Sequence, residues 1–199
     1  MSKQESAFVL ASNKAKMRMS DFPEEIPGQL AAGINRLGSR GYTLYSIYPV
    51  GPEVPYDEFP HPTEWIQTTG IAPDRLTVEI KQRDNTGVHR LYTIGHPEAA
   101  AETAETETIH NGDNEYHVRP AEVLTATEAI DLFQHYYDTH TIPTGWHLRE
   151  QPEFSDTTVE EHLTSQAATG PDTTARGRAP IADKGSKAQK ARQKPRTSE

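Results

Sequence analysis

The sequence predicts an α+β domain, in which an antiparallel sheet of about five to six strands carries two helices packed on one face. Three observations predict this fold class: a capped amphipathic helix that begins near residue 126, a well-marked hairpin, and a run of strands placed between two helices. Strands that follow one another without intervening helices pair as antiparallel neighbours, so the helices are left to cover one face of the sheet.

The clearest helix begins after Thr125. Thr125 is a favourable N-cap, and Glu128 follows three residues later, which is the spacing of a capping box. Five side chains then recur at helical spacing and form one largely apolar stripe: Ala129, Leu132, Phe133, Tyr136 and His140. Pro143 ends the helix, because a residue before proline is kept out of the helical conformation. Residues 146–149 follow as a short closing strand.

Two hairpins are predicted between the helices. Residues 75–82 alternate, with Leu76, Val78 and Ile80 pointing inward, and residues 84–87 form a turn that leads into a return strand over residues 88–94. The Asn111-Gly112 pair indicates a second hairpin, with arms at residues 107–110 and 115–118. An earlier helix is predicted over residues 28–37 and an earlier strand over residues 42–48.

Residues 50–73 form a long connection that is rich in proline and holds Trp65 near its middle. A loop of this length without secondary structure is uncommon in a compact domain. Either Trp65 attaches the loop to the core, or the loop has a function.

Charge divides the chain into three parts. We predict a mobile basic arm over residues 1–20, an acidic α+β domain over residues 21–155 and a disordered basic tail over residues 156–199. The whole chain has 199 residues and a net charge of −9, yet residues 21–170 alone carry 25 acidic and eight basic side chains. Such an excess repels nucleic acid and attracts basic partners.

Composition excludes several classes of protein. The chain contains no cysteine, which rules out disulfides and thiolate metal sites. No stretch approaches the roughly 18 apolar residues of a membrane-spanning helix. We therefore expect a cytoplasmic protein that is not bound to a membrane and that needs neither a cofactor nor a metal.

One row of side chains could support catalysis. Asp131, His135 and Asp138 stand at i, i+4 and i+7 of the predicted helix, which is an arrangement that acid–base chemistry can use. The row lies opposite the apolar stripe, where a solvated helix face is expected. His110 and His117 stand on the two arms of the second hairpin, but no third ligand is indicated. We predict that the protein is not an enzyme, and we keep a small hydrolase that uses the Asp131 row as an alternative.

The acidic side chains suggest a binding surface. They either keep the protein soluble or form a negative surface for a basic protein partner, with aromatic anchors beside them. The candidate partner-binding residues are Glu53, Asp57, Glu58, Trp65, Glu102, Glu105 and Glu107. Nucleic-acid contact is not expected for the domain and stays open for the basic tail, although the tail has no aromatic residue for base stacking.

The last third of the domain resembles family one of the bacterial immunity proteins, which are the antidotes of polymorphic toxin systems. The resemblance rests on residues 119–124, on Thr127-Glu128-Ala129 at the start of the helix, on Leu132-Phe133 and on Pro143-Thr144-Gly145-Trp146. It covers roughly residues 27–150 and is specific over residues 118–149. It implies an α+β fold and a protein that acts by binding and covering a toxin, with no catalytic residues.

The sequence therefore predicts an immunity protein that binds and neutralises a cognate basic toxin domain, such as a nuclease or a deaminase. A phage or regulatory interaction module without a toxin partner, and the small hydrolase described above, are the alternatives.

Overall fold

The structure, a computed structural model, describes residues 7–55, 58–97 and 106–156. Within these ranges the chain forms nine strands and two α-helices, besides short 3-10 turns. The strands are β1 (Ala7–Ser12), β2 (Lys16–Arg18), β3 (Leu44–Val50), β4 (Trp65–Ile71), β5 (Arg75–Arg83), β6 (His89–Gly95), β7 (Glu107–Asn111), β8 (Asn114–Val118) and β9 (His147–Glu150). The helices are α1 (Ile26–Ile34) and α2 (Ala126–Thr139).

In the described part of the chain, seven strands form one main sheet in the order β2-β1-β3-β4-β5-β6-β9. Every neighbouring pair is antiparallel. The predicted α+β class is confirmed, although the sheet is larger than the five to six strands expected. Strands β7 and β8 pair with each other as a separate hairpin and do not join the main sheet.

Both helices pack on one face of the main sheet, as predicted. The core on this face contains residues of the main sheet and of both helices. Leu76, Val78 and Ile80 of β5 point into it. The helices contribute Ile26, Leu30 and Ile34 from α1, and Ala126, Ala129, Leu132, Phe133 and Tyr136 from α2. The apolar stripe read from the sequence of α2 is therefore the surface that the helix buries.

The start of α2 is fixed by the expected capping box. The Glu128 N–H donates to the Thr125 hydroxyl at 3.3 Å, and the Thr125 N–H donates to the Glu128 carboxylate at 2.8 Å. The helix ends at Thr139, before the predicted end at Pro143, and His140 caps it in a left-handed conformation with φ of 59°. His140 is exposed, so the prediction that it continues the stripe is wrong. Two otherwise unpaired groups at the N-terminus are thus satisfied by side chains of the same turn.

The turn between β5 and β6 is organised by Asp84. Its carboxylate accepts hydrogen bonds from the Thr86 hydroxyl at 2.6 Å, from the Val88 N–H at 3.0 Å and from Arg90 Nε at 3.1 Å. The Thr86 hydroxyl lowers the pKa of Asp84; burial opposes this, and the bonds from Arg90, Val88 and the Thr86 N–H lower the pKa further below its ordinary 3.8.

This lowered pKa predicts a loss of stability in acid. Ionised Asp84 stabilises the fold above its ordinary pKa of 3.8, and this contribution disappears as the pH falls through the lower pKa of the folded state. We expect Asp84→Asn to lower the urea midpoint at about pH 6, and the difference from the unchanged protein to shrink as the pH falls from about 4 to about 2. Urea titrations at several pH values test this, and a difference that stays constant would contradict it.

The predicted mobile arm is wrong for residues 7–20. Strand β1 lies inside the main sheet between β2 and β3, and Phe8 and Val9 are buried. The apolar run of this segment is short, so its periodicity does not distinguish a strand from one turn of helix. The structure of this segment is decided by its pairing with β3, in which Leu10 lies opposite Ile47, a residue more than 30 positions later in the sequence. The first six residues lie outside the described ranges.

The predicted loop over residues 50–73 also contains a strand that was missed. Strand β4 occupies the middle of the sheet, between β3 and β5. Its sequence contains Gln67, Thr68, Thr69 and Gly70, which hide any apolar alternation. Thr68 lies on the core face opposite Val78, whereas Gln67 and Thr69 lie on the other face of the sheet.

Residues 156–199 were predicted to form a tail. The first of them, Asp156, is hydrogen-bonded to β6, and residues 157–199 lie outside the described ranges.

The face opposite the helices, called here the open face, is partly covered by the β7–β8 hairpin. The Asn111 side chain attaches the hairpin by donating to the carbonyl oxygens of Gly70 at 2.5 Å and Thr43 at 3.3 Å. Beside the hairpin lies Glu122, which is 0% exposed. Arg149 donates to its two carboxylate oxygens from Nε at 2.5 Å and from Nη2 at 2.8 Å.

Candidate protein-binding surface

Three of the predicted partner-binding residues lie together at one end of the main sheet. Glu53 and Glu58 are exposed in the connection between β3 and β4, and Trp65 is the half-buried first residue of β4. Val54 and Phe59 attach this connection by packing on an apolar cluster of the open face. The buried members of that cluster are Val9, Ala11, Tyr48 and Val50. Trp65 therefore packs against the sheet, which was one of the two alternatives for this segment.

Glu107 lies elsewhere and its charge is compensated. It is the first residue of β7, and it accepts a hydrogen bond from Arg75 Nη2 at 3.0 Å. Arg75 is paired with Ile71, the last residue of β4, while Trp65 is the first. Six residues of strand separate these ends by roughly 20 Å. The structure therefore does not bring Glu107 together with the other three residues.

The remaining predicted residues are Asp57, Glu102 and Glu105, and all three lie outside the described ranges.

The side chains of the alternative hydrolase are not bonded to one another in the described part of the chain. Asp131 and Asp138 are exposed, and Asp138 accepts a hydrogen bond from Gln134 Nε2 at 3.1 Å. His135 Nε2 lies 3.4 Å from the Thr141 hydroxyl. Among the described residues, no group of three or more His, Asp or Glu side chains is arranged to hold a metal ion.

A surface that the sequence analysis missed surrounds Phe22. Phe22 is 61% exposed, although it is a large apolar side chain. Its N–H donates to the Ser20 hydroxyl at 3.1 Å, and its carbonyl oxygen accepts from the Glu25 N–H at 3.0 Å. The Ser20 hydroxyl donates in turn to the Glu25 carboxylate at 2.6 Å. These bonds hold the turn, so the ring is presented on an ordered backbone.

The Phe22 turn lies beside the last turn of α2. Phe8 connects the two segments. Its carbonyl oxygen accepts a hydrogen bond from the Met19 N–H at 2.8 Å, and the centroid of its ring lies 4.7 Å from that of Tyr137 in α2. Burial raises the pKa of Tyr137, and the charges of Asp138 and Asp21 raise it further. Asp21, which is next to Phe22 in sequence, and Asp138 of α2 thus act on the same phenol.

We call this surface the acid–aromatic patch and define it by Asp21, Phe22, Glu24, Glu25, Tyr137 and Asp138. All four of its carboxylate residues are exposed. Arg18 lies 3.9 Å from Asp21, with its own side chain 14% exposed and that of Asp21 72% exposed. Arg18 offsets one of the four negative charges, so the patch keeps an excess of carboxylates over this cation.

Asp138 stands where a helix does not favour a carboxylate. It lies in the last turn of α2, and that turn contains no basic residue. The carbonyl end of a helix carries a partial negative charge, so an acidic side chain there costs some stability. Residues that lower the stability of their own helix are more typical of a functional surface than of a position that only supports the fold.

The sequence indicated only the part of this surface that lies before α1. Asp-Phe-Pro-Glu-Glu over residues 21–25 places an aromatic residue among carboxylates, but the same pattern also reads as a polar lead-in to α1. The contribution from α2, more than 100 residues later, depends on how β1 positions Phe8 between the two segments.

Comparison of the chain with protein-family models, with curated proteins and with solved structures gives no match. The resemblance to the immunity proteins therefore stays a prediction from the motifs quoted above. Neither helix in the described part of the chain is long and apolar enough to cross a membrane.

Proposed function

We propose that the protein acts by stoichiometric binding, as an antidote that neutralises a cognate basic toxin domain such as a nuclease or a deaminase. The observation that carries the proposal is the acid–aromatic patch, which combines one exposed phenylalanine with four exposed carboxylates from the Phe22 turn and the last turn of α2. The resemblance to the immunity proteins supports the same conclusion from the sequence.

The chemistry of the patch suits a partner rich in lysine and arginine. An aromatic residue that becomes buried on binding supplies much of the affinity of an interface, and the surrounding carboxylates select partners of opposite charge. The Phe22 ring can also receive a cation on its face. Enzymes that act on nucleic acid have positively charged substrate channels, so a negative protein surface can occupy the position of the phosphates.

The Glu53 and Glu58 connection supports a larger interface. Ala7 is paired with Val50, so the connection leaves the sheet at the same end as the Phe8 side of the patch. The patch lies on the helix side of this end and the connection on the open face. A partner docked over the end of the sheet would contact both surfaces, with Trp65 fixing the position of the connection.

The candidate partner for a test is the product of the neighbouring gene, because toxins and antidotes are inherited together. We expect the unchanged protein to co-purify with this product and to protect cells that express it. Phe22→Ala should weaken binding by about 2 kcal/mol or more, which is roughly 30-fold in Kd. Asp21→Lys should weaken it further and reduce its dependence on salt, because the on-rate depends on charge.

Phe154→Ala is the matched control. Phe154 is also 61% exposed, but it follows β9, which is one edge strand of the main sheet, whereas the patch borders β1 near the other edge. We expect this variant to bind like the unchanged protein, and thermal unfolding should confirm that all variants are folded. Equal losses from Phe22→Ala and Phe154→Ala would remove the patch from the interface. Failure of the unchanged protein to bind or protect would contradict the antidote function.

A further inference from the structure

We propose that the basic segment over residues 171–199 of the same chain docks on the acid–aromatic patch and competes there with the basic partner. The competition rests on the proposed function, whereas the docking does not. The contact would make the antidote selective, since a weakly basic protein could not displace the segment.

Charge complementarity is the first argument. Residues 171–199 carry eight basic and three acidic side chains, and five of the basic ones fall within residues 187–196. The patch presents four exposed carboxylates and one exposed aromatic ring. Opposite charges brought together in this way attract without a specific fold in the bound segment.

The second argument is where the chain leaves the described structure. Asp156 is held on β6, because its N–H donates to the His89 carbonyl oxygen at 2.9 Å and its carboxylate accepts from Lys81 Nζ at 2.9 Å. The preceding residue, Ser155, accepts a hydrogen bond from the Leu91 N–H at 2.9 Å. The exit point is therefore fixed at the His89 end of β6.

This exit lies at the same end of the main sheet as the patch. His89 is paired with Arg83 of β5, and the Arg83 N–H donates to Glu64, the residue before β4, at 3.1 Å. The same end of the sheet continues through β3 to the Phe8 end of β1. Four strand spacings separate β6 from β1, which is roughly 19 Å.

Residues 157–170 are enough to cross this distance. At up to about 3.3 Å per residue these fourteen residues can span roughly 46 Å. The path from the exit to the helix side of β1 needs roughly 19 Å across the sheet and about 10 Å through the helix layer. A segment tethered so closely has an effective concentration on the order of 1 mM, so even a weak contact is populated.

Carbodiimide cross-linking of the full chain tests the docking directly. The reagent joins lysines to carboxylates that touch them. We expect links from the tail lysines, Lys184, Lys187, Lys190 and Lys194, to Asp21, Glu24, Glu25 and Asp138. Glu53 and Glu58 are the matched controls, because both are exposed carboxylates at the same end of the main sheet but on the open face. Links to the patch should exceed links to these controls at least fivefold, and salt should suppress the excess.

Two results would overturn the docking. One is an equal yield at the patch and at Glu53 and Glu58. The other is a cross-link that joins light and heavy copies when isotopically labelled and unlabelled chains are mixed, since the occupant would then be a second copy. Phe22→Ala should reduce the yield at the patch if the ring takes part, while Phe154→Ala should not.

A second variant separates this proposal from the antidote function. Replacing the four tail lysines with glutamine removes half of the eight basic side chains of the segment and should tighten binding of the neighbouring-gene product by about two- to tenfold. Cross-links at the patch without any partner binding would contradict the antidote function alone. Partner binding that the lysine replacement leaves unchanged would contradict the competition alone.

Discussion

Arg149→Ala is expected to destabilise the fold by about 3 to 5 kcal/mol, because it leaves a buried carboxylate without its counter-charge. Glu122 is 0% exposed and receives two hydrogen bonds from Arg149, one from Nε and one from Nη2. A third bond, from the Arg119 N–H at 2.9 Å, remains in the variant but cannot replace the lost charge. Urea unfolding of the variant measures the loss.

Two companion variants show that burial is the cause. Arg75→Ala breaks an ion pair in which the side chains of Arg75 and Glu107 are 44% and 39% exposed. This variant should therefore lower the free energy of unfolding by less than about 1 kcal/mol. Replacing Glu122 and Arg149 together by leucine and methionine should recover most of the loss, because no charge is then left buried. If Arg149→Ala and Arg75→Ala cost the same, the explanation through burial is wrong.

Gly70→Ala is expected to cost about 3 to 5 kcal/mol, because the position combines backbone strain with a clash. Gly70 lies in the central strand β4 with φ of 116°, a conformation that residues with a side chain rarely adopt. An added Cβ would press against the carbonyl oxygen of Arg75 and would lie 3.0 Å from Cα of Leu76. These are backbone atoms of the paired strand, so a change of rotamer cannot relieve the contact.

The same substitution should also loosen the hairpin, since the Gly70 carbonyl oxygen accepts the Asn111 side chain. Hydrogen exchange should therefore rise over residues 107–118, in addition to the lower urea midpoint. Gly28→Ala is the control: Gly28 lies in α1 with nothing within 4 Å of an added Cβ. It should stabilise the protein by about 0.5 to 1 kcal/mol. A Gly70→Ala protein with unchanged stability and exchange would contradict the argument.

The sequence predicted an element correctly where the element's own residues marked its start, its periodicity and its end. Helix α2 has its capping box and apolar stripe, and β5 has strict alternation with a turn organised by Asp84. Such patterns need no knowledge of the rest of the chain, because helix caps and turns are satisfied by residues a few positions away.

Strands β1 and β4 were missed for a common reason. Each is defined by pairing with strands that are distant in sequence, and neither alternates clearly. In β4 the polar Gln67 faces the open side, where it donates to Glu79 at 2.6 Å, and this partner comes from β5. A polar residue in a strand looks like a loop residue until its partner is known.

The candidate surface was predicted only in part. Glu53, Glu58 and Trp65 do share one end of the sheet, because Val54 and Phe59 attach the connection that carries them to the open face. Glu107 has an acidic neighbourhood in sequence but an arginine neighbour in space, Arg75, which cancels its charge. Charge counts along a chain therefore overestimate the negative surface wherever a distant cation folds back onto it.

The amino-acid order was sufficient for the α+β class, for the helix and hairpin with complete local signals, and for the acidic character of the domain, since these follow from periodicity, turn chemistry and composition. Folding of the whole chain was required to insert β1 and β4 into the sheet, to bury Glu122 against Arg149 and to place Phe22 beside the last turn of α2. The reason is that each of these contacts joins residues far apart in sequence, and no local pattern encodes the partner.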